Sequence, residues 1–139
     1  MFVLDTNVVS ELRKSKAGTA NLGVTAWARG VAPETLYVSA ITILELEIGI
    51  LRIERRDRNQ GTILRAWLDR AVLPAFDGRI LPVDVAVAIR CASLHVPDHR
   101  TDRDALIAAT ALESGMTIVT RNTGDFEPTG VSTFNPWTS

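Results

Sequence analysis

Phe2-Val3-Leu4-Asp5-Thr6-Asn7 sets three apolar residues directly against a carboxylate at the start of the chain. A run this short and this apolar, with no polar alternation, suits a strand buried on both faces of a sheet. An acid that ends such a strand lies where open α/β sheets bind ligands, in the crevice beyond the carboxyl ends of the strands. Comparable runs, bounded by turn signals, recur at Leu36–Ser39 and at 79–83, 116–120 and 131–134. Helical periodicity fills 8–13, 24–29, 41–56, 61–72, 85–95 and 103–114. Strands alternating with helices pair in parallel through right-handed crossovers. The pattern therefore predicts an α/β fold, a three-layer α/β/α sandwich around a mainly parallel five-stranded sheet. Pro82 has no N–H for a ladder, so the 79–83 run belongs at a sheet edge or ends there.

The 139 residues suffice for one sizeable core and are short for two. No repeat or linker divides them, and a single domain over 1–139 is expected. No stretch approaches the ~20 apolar residues of a membrane span, and the N-terminus lacks the regions of a signal peptide, which predicts a cytoplasmic protein. Cys91 is the one cysteine, has apolar neighbours, and reads as a buried, inert thiol. A net charge of −1 argues against a wholly basic nucleic-acid binder. Attraction to phosphate must then come from local arginines or bound cations. Arg52, Arg55, Arg56 and Arg58 form the densest basic group, with Arg13, Lys14 and Lys16 next.

Four acids stand at element ends or just beyond them. Asp5 and Glu45 follow the first and second strands, Asp104 opens an apolar helix, and Asp125 follows the 116–120 run. Helix 41–56 carries two apolar stripes: Ile41, Leu44, Ile48 and Leu51 on one side, Ile43, Leu46, Ile50 and Ile53 on another. That pattern predicts a helix covered twice. Glu45 shares a polar strip with Thr42 and Gly49 and can face a cleft, whereas Glu47 and Glu54 read as solvated or ion-paired. Thr101-Asp102-Arg103-Asp104 has capping-box spacing. A capping role is compatible with ligation, since the helix dipole keeps a first-turn carboxylate ionised. Asp102 reads as a helix N-terminal acid and Asp98 as a solvated loop residue.

Carboxylates gathered in one crevice repel each other until their pKa values rise or a cation neutralises them. An oxygen-only donor set, with no histidine or cysteine at the strand ends, favours Mg²⁺ or Mn²⁺ over zinc. His95 and His99 are spaced like half of a zinc site, but Pro97 interrupts the helix between them and no second pair exists.

Four motifs, in this order, carry a resemblance to a known family. They are Leu4-Asp5-Thr6-Asn7, Ser39-Ala40-Ile41-Thr42-Ile43-Leu44-Glu45-Leu46, Asp104-Ala105-Leu106-Ile107-Ala108-Ala109-Thr110-Ala111 and Thr120-Arg121-Asn122-Thr123-Gly124-Asp125-Phe126. They resemble the PIN-domain ribonucleases, and more narrowly the VapC and FitB toxins of bacterial toxin–antitoxin pairs, over essentially the whole chain to Asn135-Pro136-Trp137. The resemblance implies a parallel-sheet α/β/α fold and endoribonuclease activity on RNA that depends on one or two Mg²⁺ or Mn²⁺ ions and a metal-activated water. It also implies a homodimer inhibited by a cognate antitoxin of the VapB/FitA kind, with DNA reached only through that antitoxin. The family's first three acids fall on Asp5, Glu45 and Asp104, as catalytic and metal-binding residues. The fourth position falls on Asn122 or Asp125, and Asp125 is favoured as an outer or water-mediated metal ligand. Thr6 and Asn7 are expected to orient Asp5, and Asn122 to hold the loop or bond to metal water.

Other enzyme classes fit less well. An aspartate after a first strand also serves as the nucleophile of phosphoaspartate enzymes, but these need a late lysine, and Lys14 and Lys16 are the only lysines. The chain has neither a P-loop nor a GxGxxG fingerprint. The remaining alternative is a catalytically weak PIN-fold module acting mainly through partner binding. Helix 41–53 and the helices of Trp27 and Trp67 would supply its surfaces, although core packing is the default for each tryptophan.

Overall fold

The computed structural model describes residues 1–138 and forms five strands: β1 at Phe2–Leu4, β2 at Leu36–Ser39, β3 at Ile80–Leu81, β4 at Thr117–Val119 and β5 at Thr133–Phe134. They make one sheet in the order β3-β2-β1-β4-β5, and every pairing is parallel. Phe2 lies in register with Leu36 on one side and Thr117 on the other, so β1 is central. The runs at 79–83 and 131–134 shrink to two residues each, and both are edge strands with a single neighbour. Pro82 directly follows β3 and ends it, as its missing N–H requires.

Side chains of the central strands alternate between two apolar layers. Leu4, Leu36, Val38 and Val119 pack with Val8, Leu46, Ile50, Leu64 and Leu68 on one face. Val3 and Ile118 pack with Ile41, Ile107, Ala108 and Phe126 on the other. The sheet is thus flanked by helices on both faces, which explains why its strands read as continuous apolar runs.

The helices are α1 at Thr6–Leu12, α2 at Leu22–Arg29, α3 at Ala40–Arg56, α4 at Arg58–Trp67, α5 at Leu73–Ala75, α6 at Val85–Leu94, α7 at Asp102–Ser114 and α8 at Thr123–Phe126. Asp5, Asn21, Ser39, Asp57 and Asp84 cap α1, α2, α3, α4 and α6, each side chain accepting a bond from a backbone N–H. The single helix expected at 61–72 therefore begins earlier, behind Asp57, and widens into a π turn at Leu68–Val72. Pro74 supplies the reason, because proline donates no backbone hydrogen bond and crowds the preceding turn. The expected double cover of α3 is not found in this chain. Leu46 and Ile50 are buried, but Leu44 and Leu51 of the other stripe are 46% and 51% exposed. Trp27 is partly buried and packs against the core, edge-on to Phe2 at 5.4 Å.

Candidate active site

The buried run of β1 delivers Asp5 to the carboxyl end of the sheet, where it also caps α1. Its backbone N–H bonds to Val119 O at 2.9 Å, which ties it to the end of β4. One carboxylate oxygen accepts from Thr6 N at 2.8 Å. The other accepts from Thr120 Oγ1 at 2.8 Å and Asn7 Nδ2 at 3.3 Å. Asp5 is only 7% exposed, and Thr120 is fully buried. Thr120 is a partner of Asp5 that the strand pattern did not single out. Its signals were its place at the end of an apolar run and at the head of the fourth motif, and it adds a donor to those that hold Asp5.

Glu45 projects from α3 toward the same end. Thr6 Oγ1 donates to Glu45 Oε1 at 2.6 Å and lies 3.4 Å from Thr42 Oγ1. Thr6 therefore joins two acids: its N–H holds Asp5 and its hydroxyl holds Glu45. Arg103 Nη1 stands 3.7 Å from Glu45 Oε2. Glu47 and Glu54 are ion-paired, both to Arg65, as expected.

Asp104 enters from the first turn of α7. The expected capping box does not form, since Thr101 is the N-cap but its side chain makes no capping bond. The Asp104 carboxylate instead lines a cavity with Asp125 and Gly124. Burial, reinforced by the charges of Asp5, Asp125 and Glu45, pushes its pKa up to about 6. Asp5 is also raised, by burial first, against the bonds from Thr120 and Thr6, with Glu45 and Asp125 adding to the rise. Asp125 is exposed and lies in α8, with its N–H bonded to Asn122 O at 3.1 Å. Asn122 N donates to Thr120 Oγ1 at 3.0 Å, which anchors the loop behind Asp5.

The charges of Asp5, Glu45 and Asp125 all reach Asp104, and those of Glu45 and Asp125 reach Asp5, although Glu45 lines one cavity and Asp104 and Asp125 another. They do not converge on a point. Among the described residues, the three ligand groups whose atoms lie within 4.8 Å of one another are His95, His99 and Asp102. Those histidine rings stack at 4.6 Å, and each Nε2 faces Asp102 at 3.5–3.6 Å. His95 Nδ1 accepts from Arg100 N at 3.0 Å, so the lone pair on that nitrogen is already engaged. Cys91 is buried as expected, and burial pushes its thiol pKa up.

The expected basic cluster lies elsewhere. Arg52, Arg55, Arg56 and Arg58 are exposed, and none lines the cavities that hold Glu45 or Asp104. Arg103 and Arg100 approach the acids instead, and Arg13 lines the Glu45 cavity with its guanidinium 5.9 Å from the Trp67 ring centre.

Residues 2–130 match the PIN domain family model. The chain is 40% identical to the VapC ribonuclease Y4jK of Sinorhizobium fredii, over 99% of this chain and 98% of the relative. It is 38% identical to the toxin FitB of Neisseria gonorrhoeae, over 99% of each. The crystal structure of FitAcB from Neisseria gonorrhoeae superposes with a TM-score of 0.89 at 36% identity, covering 100% of both chains. With the acids at the carboxyl ends of a parallel sheet and these full-length similarities, the chain belongs to the PIN domain family, as a VapC/FitB-like toxin of a toxin–antitoxin system.

Proposed function

We propose that this chain is a metal-dependent endoribonuclease, with Asp5, Glu45 and Asp104 holding Mg²⁺ or Mn²⁺ and Asp125 acting as an outer, water-mediated ligand. The supporting observation is electrostatic: burial, reinforced by the charges of Asp5, Asp125 and Glu45 from separate segments, raises the pKa of Asp104 to about 6. A divalent cation relieves that repulsion, and an oxygen-only donor set suits a hard one. When bound, such an ion supplies positive charge against the scissile phosphate and a water acidic enough to attack it at neutral pH.

The protein's own part is positional. Thr6, Asn7 and Thr120 fix both oxygens of Asp5, and Thr6 also fixes Glu45, so these ligands are set before substrate arrives. Asn122 holds the loop that carries Asp125. Arg103, 3.7 Å from Glu45, is placed to meet phosphate oxygens beside the acids. The partners of this reading are an RNA substrate, a second copy of the chain and a cognate VapB/FitA-like antitoxin, with DNA reached only through the antitoxin.

Cleavage of RNA by purified, antitoxin-free protein tests the proposal. Activity is expected with Mg²⁺ or Mn²⁺ and lost on chelation. Asp5→Asn should lower it by more than the ~10–100-fold typical of an outer partner. Asp125→Asn should weaken Mn²⁺ binding and slow cleavage less than Asp104→Asn, while Asn122→Ala should act through loop order. Cleavage that persists in chelator and in Asp5→Asn alike would overturn the reading.

A further inference from the structure

A cavity of about 280 Å³ is lined by Asp104, Asp125 and Gly124 together with His99, Arg100 and Thr101. Arg100 is the unusual member. Among the described residues it has no carboxylate within ion-pair distance, and its Nε is buried without a hydrogen-bond partner. Other arginines that make no ion pair, side-chain hydrogen bond or ring contact, such as Arg29, Arg52, Arg55, Arg56, Arg58 and Arg70, are exposed. Arg100 alone of this set is half-buried, with its Nε out of reach of water and no anion within ion-pair distance. Its backbone is pinned, because Arg100 N donates to His95 Nδ1 at 3.0 Å. The loop between α6 and α7 therefore holds an unneutralised guanidinium on the rim of the crevice.

A strand crossing four carboxylates meets repulsion at every phosphate, and a divalent cation offsets it only at the scissile one. The next phosphate needs a positive group from the protein. We infer that Arg100 binds the phosphate neighbouring the scissile bond, on the side of Asp104 and Asp125, so that the RNA strand passes over the α6–α7 loop. A guanidinium suits this role, since its planar fork pairs with two phosphate oxygens. The inference rests on the ribonuclease reading above and adds to it the direction in which the strand leaves the crevice.

The test measures binding and cleavage separately. Binding of a fluorescently labelled single-stranded oligouridylate is followed by anisotropy over a range of KCl, in Asp5→Asn and in Asp5→Asn combined with Arg100→Gln. One lost phosphate contact on a single strand should flatten the slope of log K against log salt by ~0.7. Arg100→Lys, which keeps the charge, should restore most of the slope. In the otherwise native chain, Arg100→Gln should raise KM more than it lowers kcat and leave Mn²⁺ affinity unchanged. An unchanged salt slope would overturn the inference. So would a tighter Mn²⁺ affinity in Arg100→Gln, since Arg100 would then be neutralising the carboxylates. A native chain that binds the strand through Arg100 without cutting it would sink the ribonuclease reading and leave the subsite standing. Metal-dependent cutting with an Arg100-independent slope would do the reverse.

Discussion

Thr120 Oγ1 uses its full hydrogen-bonding capacity. It donates to Asp5 Oδ2 and accepts from Asn122 N and Asn7 Nδ2. Thr120→Val keeps the shape and removes the hydroxyl, leaving Asp5 Oδ2 with Asn7 alone. We expect Mn²⁺ affinity to fall ~10–100-fold, as for other groups that orient a metal ligand, and Thr120→Ser to retain most of it. Calorimetric titration of the two variants checks this. Asp104 lends itself to a different measurement. Its pKa lies at about 6 in the folded chain against an ordinary 3.8, so folding tightens its hold on the proton. A raised pKa contributes stability that is fully present below 3.8 and is lost as pH rises through about 6. Asp5 is raised as well and acts in the same direction. In chelator, the melting temperature of the native chain should therefore decline relative to Asp104→Asn across that window and run parallel to it above. Mn²⁺ should stabilise the native chain most above pH 6, where the ligand is ionised and native-state binding raises the melting point. A constant difference between the two proteins across the window would show that the pKa of Asp104 is not raised by folding.

At the level of elements, α3 and α4 cross closely because Gly61 has no side chain. A Cβ there would meet Glu54 Cγ at 2.5 Å and Glu54 Cα at 2.8 Å. Alanine is the better helix former by ~1 kcal/mol. A clash with backbone forces the two helices apart, and overpacking of that kind costs about 1–3 kcal/mol. Gly61→Ala should accordingly lower the urea midpoint, and an unchanged midpoint would mean that α4 can shift freely. The exposed stripe of α3 bears on assembly. Leu44 and Leu51 face solvent in the single chain, although the periodicity called for cover. If the stripe is covered by a second copy, Leu51→Glu should shift the mass measured by light scattering from dimer to monomer without lowering the melting point of the monomer. The strands and most helices were legible from sequence because apolar run length and periodicity are local properties. The π turn was not, since its cause, Pro74, lies beyond it and acts backward. Nor was the missing capping box, because Thr101 has the right spacing and nothing in spacing reports where a hydroxyl turns.

Across the whole molecule, the acids became legible together because a parallel sheet gathers its carboxyl ends at one side, so each strand end points at the same crevice. Thr120 and Arg100 escaped that logic. Threonine is an ordinary strand residue, and the value of an arginine depends on which carboxylates the fold leaves it without. The arrangement also bears on how the chain is silenced. An apolar cavity of about 230 Å³ runs from Thr6 and Glu45 past Leu46, Ile50 and Trp67, and Trp67 continues into a second one lined by Val9, Leu12, Val72 and Phe76. One end of this groove is thus at Glu45, and the rest is mainly apolar, with Arg13 where the two cavities meet. A chain segment with an apolar face and a basic side chain at one end would satisfy both, since carboxylates that await a cation also accept a guanidinium. We expect the cognate antitoxin to lay such a segment here and place its basic group near Asp5, Glu45 and Asp104. Metal and antitoxin would then compete, and linkage requires each to weaken the other by the same factor. The check is to titrate antitoxin with and without saturating Mn²⁺, then repeat with the basic residue replaced by alanine. Loss of the coupling in that variant, with inhibition reduced more than binding, is the expected outcome. Inhibition that is undiminished and indifferent to Mn²⁺ would mean that the antitoxin works elsewhere, by covering the path of the RNA.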